Sequence, residues 1–323
     1  MCTAVTYRTK DHYFGRNLDY EYSYRETVTI TPRNYIFPFR RLPPMEHHYA
    51  LIGMATVAEN YPLYYDATNE YGLSIAGLNF PHSAKYMPQR DDKDNVTPFE
   101  LIPWLLGNCK NIDEAKKKLM NANLVNIPFS NEFPLSPLHW FMADTEASIV
   151  IEQTDSGLDI FENPVGVLTN EPPFPFHITN LQNYLHVSNE EAVNQFAPSL
   201  SLKSYSRGLG GIGLPGDLSS VSRFVKAAFT KLNSVSKDAE SASISQVFHI
   251  LGSVAQQQGC VKVGQAYEKT IYTSCCNTSK GIYYYTTYEN SQITGIRLHA
   301  EDLDTKNLIC YPLVKGQQIH MEN

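Results

Sequence analysis

The chain has 323 residues, of which 42% are hydrophobic and 18% are charged, and its formal net charge is −7 at pH 7. This composition is typical of a folded protein with a sizeable core and argues against a disordered chain. The acidic balance and the scattered basic residues argue against nucleic acid as a partner. No apolar run is long enough to span a membrane, so we expect no membrane partner either.

The six cysteines and ten histidines follow none of the spacings that indicate a disulfide framework or a metal site. We therefore expect no metal. The N-terminus shows no basic segment followed by an apolar stretch, so no signal peptide is expected. Together these features predict a soluble cytoplasmic protein. The adjacent His47 and His48 lie in a polar stretch and are expected to be exposed to solvent.

Strand patterns dominate the first eighty residues, with alternation over residues 27–31 and an apolar run over 72–78. Two helices are predicted next. The first begins at a capping box with proline at its first helical position, over residues 97–100. The second begins with a similar N-terminal signal over residues 111–114.

The second half of the chain combines a hairpin, amphipathic helices and a return to strands. Residues 138–143 and 148–153 predict the hairpin arms, and 157–161 and 165–170 are expected to extend the same sheet. A short helix is expected after Ser188. The remaining predicted elements are two amphipathic helices over 220–233 and 244–254 and three strands over 269–274, 281–288 and 292–299.

Strands and helices thus alternate in batches rather than one by one. This order favours a layered α+β fold over a doubly wound parallel sheet. No low-complexity linker or internal repeat interrupts the chain. We therefore expect one domain spanning residues 1–323.

Cys2 is the candidate nucleophile. The initiator methionine is usually removed before a small residue, and its removal here leaves Cys2 with both a thiol and a free α-amine. A thiolate is a good nucleophile, and an α-amine with a pKa of about 7.7–8.0 can take and return a proton near neutral pH. A cysteine at position 2 can also occur by accident, so Cys2 needs supporting residues.

Five polar side chains stand at strand ends or helix starts where structural patterning does not require them. Taken singly, each could be a surface ion pair or an ordinary turn residue. Taken together, they match the needs of amide hydrolysis, which requires an activated nucleophile and donors for an oxyanion. Carboxylate, guanidinium and amide groups of these kinds are supplied by Asp19, Arg16, Arg223, Asn79 and Asn170.

Five motifs resemble, in order along the chain, those of the choloylglycine hydrolase family of bile salt hydrolases and penicillin V acylases. The motifs are Met-Cys-Thr at the start, Phe-Gly-Arg-Asn-Leu-Asp at 14–19, Ala-Gly-Leu-Asn-Phe at 76–80, Gly-Val-Leu-Thr-Asn at 166–170 and Gly-Leu-Pro-Gly-Asp-Leu-Ser-Ser-Val-Ser-Arg-Phe at 213–224.

The resemblance implies an N-terminal-nucleophile hydrolase fold, a four-layer αββα sandwich with two antiparallel sheets, commonly assembled as a homotetramer. It also implies Cys2 as the nucleophile, surrounded by Arg16, Asp19, Asn79, Asn170 and Arg223. In the family the oxyanion is held by a backbone N–H near Asn79 and by the Asn170 side chain. No cofactor is implied.

The resemblance also indicates a substrate. Penicillin-preferring members often carry tyrosine where this chain has Asn79, so asparagine favours a bile salt hydrolase that cleaves glycine or taurine conjugates. Aromatic and aliphatic residues between the motifs suit an apolar pocket for a steroid, although such residues are as often part of a core. The predicted substrate-binding residues are Leu18, Tyr24, Tyr65, Phe129 and Leu135.

Three alternatives remain open from the sequence. The first is a penicillin V acylase with the same catalytic groups and a different pocket. The second is an ordinary thiol hydrolase with an internal pair, such as Cys109 or Cys260 with His139 or His249. The third is a catalytically inactive member of the family that binds a small molecule.

Overall fold

The computed structural model describes residues 1–323, which form seventeen strands and five α-helices. The strands are β1 (Cys2–Arg8), β2 (His12–Tyr20), β3 (Thr27–Thr31), β4 (Leu51–Ala58), β5 (Tyr61–Asn69), β6 (Ser74–Asn79), β7 (Asp94–Val96), β8 (Ala122–Leu124), β9 (Leu138–Ala143), β10 (Ser148–Thr154), β11 (Gly157–Glu162), β12 (Val167–Leu168), β13 (Val261–Val263), β14 (Ala266–Asn277), β15 (Ile282–Thr287), β16 (Asn290–Arg297) and β17 (Ile309–Pro312). The helices are α1 (Leu101–Asn108), α2 (Ile112–Leu119), α3 (Phe174–Asn180), α4 (Ser220–Asn233) and α5 (Glu240–Gly252). Short 3₁₀ helices lie at Pro98–Glu100, Leu181–Tyr184, Leu209–Gly211 and Leu298–Ala300.

Two large antiparallel sheets contain nearly all of the strands. Sheet 1 has the order β12-β1-β2-β14-β15-β16, with β13 paired to β14. Sheet 2 has the order β11-β10-β9-β6-β5-β4-β3-β17, and a separate parallel pair is formed by β7 and β8. None of the helices has the length and apolar character that a membrane span requires.

The two sheets face each other, and helices cover their outer faces. Phe14 of β2 stacks on Phe141 of β9 with ring centroids 5.4 Å apart, so these strands pack face to face across the inter-sheet core. Helices α4 and α5 pack on sheet 1, and α1 packs on β4, β5 and β6 of sheet 2. Most strands are therefore buried on both faces, which is unusual for antiparallel sheets and makes buried polar side chains in β2 possible.

The predicted α+β class with two antiparallel sheets is confirmed, and most predicted elements lie within a few residues of the observed ones. The segment predicted at 165–170 is an exception. Its strand, β12, pairs with β1 in sheet 1 instead of extending the hairpin sheet. The hairpin pattern could not indicate this, because the choice of sheet depends on a partner strand at the other end of the chain.

Two local predictions are wrong. No helix follows Ser188, because the N-terminal signal there is not followed by an apolar face that could pack; Val193 and Phe196 are exposed. His48 is buried rather than exposed. Its two ring nitrogens lie 2.7 Å and 2.9 Å from the carbonyl oxygens of Tyr49 and Tyr35, so the polar loop folds inward around it.

Gly15 of β2 lies close to both α5 and the neighbouring strand β14. A methyl group there would lie 2.5 Å from the Ser274 carbonyl oxygen and 3.2 Å from the side chains of Leu251 and Val247. We expect Gly15→Ala to lower the free energy of unfolding by about 1–3 kcal/mol, because the backbone of β14 cannot move aside cheaply. Chemical denaturation measures the change.

Gly252 at the end of α5 provides the matched control, since nothing lies within 4 Å of a methyl group placed there. Gly252→Ala is expected to be neutral or to stabilise the protein by up to about 1 kcal/mol. Equal unfolding free energies for the two variants would contradict the packing described here.

Candidate active site

The alternation of side chains along β2 divides the site between two faces of sheet 1. Phe14, Arg16 and Leu18 belong to the face that meets sheet 2, whereas Gly15 and Asp19 belong to the face covered by helices. Arg16 and Asp19 are three residues apart and so cannot pair directly across a flat strand. The surface ion pair considered from the sequence is therefore replaced by two separate buried interactions.

Cys2 lies at the start of β1, opposite Leu18 of β2, and is 4% exposed. Its Sγ accepts a hydrogen bond of 2.7 Å from Arg16 Nη2. The same guanidinium donates through Nη1 to the carbonyl oxygens of Tyr65 and Gly77, both at 2.9 Å. The cation is thus held against sheet 2 with one of its N–H groups directed at the sulfur.

Asp66 lies close to Arg16 in the same buried layer. The hydroxyls of Tyr272 and Tyr283 each donate to its carboxylate at 2.7 Å. Burial raises the pKa of Asp66, and Arg16 and the two hydroxyls oppose that rise. Burial would lower the pKa of the Arg16 guanidinium, but the electrostatic influence of its surroundings, Asp66 included, raises it overall. Arg16 therefore stays charged although it is fully buried.

On the helix-covered face, Asp19 lies near Arg223 of α4. Asp19 Oδ1 accepts a hydrogen bond of 2.6 Å from the Thr270 hydroxyl, and its Oδ2 lies 3.8 Å from Arg223 Nη1 without a hydrogen-bond partner. Burial raises the pKa of Asp19, while Arg223 and the N-terminal amine act in the opposite direction. A buried carboxylate oxygen with no donor is costly, so this oxygen has the capacity to accept one.

Arg223 ties the start of the chain to α4. Its Nη1 donates to the carbonyl oxygen of Cys2 at 2.5 Å and to the hydroxyl of Thr3 at 2.6 Å. Its Nη2 donates to Asn170 Oδ1 at 2.7 Å. Burial lowers the pKa of Arg223, and Asp19 and Cys2 raise it in part. The residue contacts the Cys2 backbone rather than its sulfur, and so fixes the position of the chain start relative to α4.

Asn170 and Asn79 approach each other beside Cys2. Asn170 Oδ1 accepts a hydrogen bond of 2.9 Å from the Cys2 backbone nitrogen, and its Nδ2 donates to the Asn79 carbonyl oxygen at 2.8 Å. This places an amide group with donor capacity beside the Cys2 backbone. All six residues predicted from the sequence to be catalytic therefore lie in one connected cluster.

Met1 occupies part of the same site in this form of the chain. Its amino group donates to the Asp19 carbonyl oxygen at 2.7 Å and forms an ion pair with Glu268. Met1 also lines the cavity beside Cys2. While Met1 is attached, the Cys2 nitrogen is an amide and cannot act as a base. Glu268 was not identified from the sequence, because nothing in the alternating pattern of β14 distinguishes it from an ordinary strand residue.

The cavity that contains Cys2 has a volume of about 340 Å³, and 15 of its 24 lining residues are hydrophobic. An apolar cavity of this size with a few polar groups at one end is typical of a small-molecule site. All five residues predicted to bind substrate line it: Leu18, Tyr24, Tyr65, Phe129 and Leu135. Other lining residues that the sequence did not single out include Trp140, Ile102 and Leu138.

The internal Cys–His pairs considered from the sequence do not form. His139 is bonded to Glu152 and to the Thr169 carbonyl oxygen, and Cys260 is exposed on the surface. Burial raises the pKa of Cys109 to about 11, which disfavours its reactive thiolate. No histidine forms a hydrogen bond with a cysteine sulfur anywhere in the chain.

Comparison with known proteins agrees with this geometry. A bile salt hydrolase/transferase of Lactiplantibacillus plantarum is 58% identical over 324 residues, covering 100% of both chains. The crystal structure of a mutant conjugated bile acid hydrolase from Clostridium perfringens superposes with a TM-score of 0.93 at 38% identity, again over 100% of both chains. Penicillin V acylase from Agrobacterium tumefaciens is 18% identical and has a TM-score of 0.77, covering 97% of this chain and 92% of the other, which indicates a shared fold.

The family profile of linear amide C–N hydrolases, choloylglycine hydrolase family, matches residues 2–311. The observed layers match the four-layer N-terminal-nucleophile hydrolase fold that the sequence motifs implied. The chain belongs to the choloylglycine hydrolase family and is a hydrolase of linear amide C–N bonds.

Proposed function

We propose that the protein is a bile salt hydrolase, which cleaves the amide bond between a bile acid and glycine or taurine. The observation that carries the proposal is the position of Cys2 Sγ, bonded to Arg16 at the polar end of a mainly apolar cavity. An apolar wall suits a steroid nucleus, and the polar end suits the amide. Relatives named as bile salt hydrolases match over the full chain and support the same substrate class.

The proposed nucleophile is Cys2 after Met1 has been removed. The new α-amine lies where the Cys2 amide nitrogen now contacts Asn170 Oδ1. Asp19 adjoins the Met1–Cys2 peptide bond, because its backbone N–H donates to the Met1 carbonyl oxygen at 2.9 Å. Asp19 Oδ2 has no donor at present, and an ammonium group formed during the reaction can supply one. Asp19 therefore orients the amine and stabilises its charged form, while Arg223 holds the Cys2 carbonyl in place.

The proposed reaction has two halves. The α-amine takes the thiol proton, and the thiolate attacks the amide carbon of the substrate to form a tetrahedral intermediate. Asn170 Nδ2 and a backbone N–H near Asn79 stabilise its oxyanion. The ammonium then protonates the departing nitrogen, and glycine or taurine leaves. Water, deprotonated by the same amine, attacks the thioester, which releases the bile acid and restores the Cys2 thiol.

We also propose that the chain forms one domain, acts in the cytoplasm and assembles as a homotetramer. The inter-sheet core contains residues from both halves of the chain, which supports a single domain. All six cysteines are free thiols, which suits a reducing compartment. The segment between α3 and α4 exposes large apolar side chains, with Leu185, Phe196 and Tyr205 87%, 84% and 85% exposed. Such a surface suits burial between copies of the chain.

The mechanism predicts that a free amine on Cys2 is essential. Inserting one alanine between Met1 and Cys2 keeps the thiol but leaves its nitrogen in a peptide bond. We expect kcat to fall by about 10²–10⁴-fold, which is the usual contribution of a general base. Intact-mass analysis establishes the N-terminus of each sample, and amide hydrolysis is then measured. Full activity in the inserted variant, or in a wild-type sample that retains Met1, would rule out the amine as the base.

The substrate assignment predicts that glycocholate and taurocholate are turned over with higher kcat/KM than penicillin V. It also predicts that Leu135→Gln raises KM for the bile salts by about tenfold, because burying an aliphatic side chain against a ligand contributes about 1.5 kcal/mol. Steady-state kinetics with the three substrates measures both effects.

Leu232→Gln is the matched control for the pocket variant, because Leu232 is 62% exposed on α4 and does not line the cavity. Its KM values should equal those of the wild type. A preference for penicillin V in the wild type would favour the acylase alternative instead. An unchanged KM in Leu135→Gln would exclude this cavity as the steroid site.

The assembly proposal predicts that Phe196→Asp lowers the mass in solution below that of a tetramer, because a charge in a buried apolar contact is costly. Light scattering after size-exclusion chromatography measures the mass. Val235→Asp is the control, since Val235 is as exposed as Phe196, at 87% against 84%, but lies between α4 and α5. A wild-type monomer, or no change in Phe196→Asp, would count against this surface as the interface.

A further inference from the structure

A buried histidine–glutamate pair lies behind Asn170, outside the proposed catalytic residues. His139 of β9 is 0% exposed and Glu152 of β10 is 1% exposed. His139 Nδ1 lies 2.9 Å from Glu152 Oε1, and Nε2 lies 3.0 Å from the carbonyl oxygen of Thr169. The imidazole also stacks on Phe80, with ring centroids 4.3 Å apart. None of these groups touches the Cys2 sulfur.

The two partners of His139 fix the direction of its hydrogen bonds. A carbonyl oxygen only accepts, so Nε2 donates to Thr169. Nδ1 faces Glu152 Oε1, which also accepts from the Phe174 backbone N–H at 3.0 Å. The imidazole is therefore held at both nitrogens, and a pair buried this deeply costs stability unless such bonds compensate it.

A second histidine, His177, forms a hydrogen bond with the carbonyl group of the following residue, Asn170. His177 Nε2 lies 2.9 Å from the carbonyl oxygen of Asn170, and its ring stacks on Phe224 with centroids 4.6 Å apart. Burial lowers the pKa of His177 to about 4, so the ring is neutral at pH 7 and donates through Nε2. The intervening Asn170 N–H donates to Ser220 Oγ at 2.8 Å.

Around the Thr169–Asn170 dipeptide, side chains make the hydrogen bonds to the backbone that a neighbouring strand would otherwise make. Strand β12 ends at Leu168, and from there three successive backbone polar groups are bonded by His139, Ser220 and His177. The orientation of the Asn170 side chain depends on this backbone, because its amide must contact Cys2, Arg223 and Asn79 at the same time.

We infer that the His139–Glu152 pair is a positioning unit that holds the Thr169–Asn170 backbone so that the Asn170 amide faces the reacting carbonyl. The inference rests on the proposed role of Asn170 as an oxyanion donor. His139 and Glu152 are positioning residues, since they act through the backbone and do not touch the substrate. Their contribution should appear in the chemical step rather than in substrate binding.

The test is the double variant H139F/E152Q. Phenylalanine keeps the stack on Phe80, and glutamine keeps an acceptor for the Phe174 N–H, so no buried charge is left unpaired. We expect kcat to fall by about 10²–10³-fold, as for loss of an oxyanion donor, whereas KM changes by less than about threefold.

The rate of Cys2 alkylation by iodoacetamide should not change, because the thiol, Arg16 and the amine are untouched.

His48→Phe is the matched control. His48 is also buried with both ring nitrogens on acceptors, but these are the carbonyl oxygens of Tyr49 and Tyr35 and not of the Thr169–Asn170 segment. It should lose stability without losing kcat. Ser220→Ala is an independent test that does not disturb the core, and we expect about a tenfold fall in kcat with KM unchanged.

Three results would overturn the inference. One is a kcat of H139F/E152Q, measured on folded protein, that equals that of His48→Phe. Another is a parallel loss of Cys2 alkylation, which would place the effect on the nucleophile. If the double variant does not fold, an unchanged kcat in Ser220→Ala has the same consequence. Failure of the proposed function is recognised separately, since the wild type would then prefer another amide such as penicillin V, and kcat would be measured on that amide.

Discussion

The rest of the site depends on the hydrogen bond from Arg16 to the Cys2 sulfur. A fully buried guanidinium is tolerated only when its donors and its charge are satisfied, and here both sheets contribute. Sheet 2 supplies the carbonyl oxygens of Tyr65 and Gly77, and Asp66 supplies a negative charge held by two tyrosine hydroxyls. The inter-sheet layer thus supports a cation that directs an Nη2 donor at the Cys2 sulfur.

The two faces of β2 serve different parts of the chemistry. The inter-sheet face carries Arg16 and acts on the sulfur, while the helix-covered face carries Asp19 and lies beside the chain start. Arg223 of α4 joins the two by contacting the Cys2 carbonyl and Asn170. This division is possible because sheet 1 is covered on both sides, so neither group loses its electrostatic strength to solvent.

Much of the site could be predicted because its residues lie at recognisable strand ends and helix starts. Asp19, Asn79, Asn170 and Arg223 carry such signals, and the structure brings them together. The supporting groups carry none. Asp66, Glu152 and His139 occupy ordinary strand positions, and only the partner strand and the facing layer make them significant. Likewise, β12 joined sheet 1 rather than the hairpin sheet because β1 was available as its partner.

By itself the sequence determined the α+β class, the bounds of α4 and the set of polar residues that gather around Cys2. These properties follow from periodicity, capping and residue chemistry, which are local along the chain. Tertiary structure alone decided which sheet each strand joined, which faces were buried and which carboxylates balance Arg16. Those depend on contacts between residues far apart in sequence, such as Cys2 with Arg223 and Asp66 with Tyr272. A pattern of neighbouring residues cannot indicate such contacts.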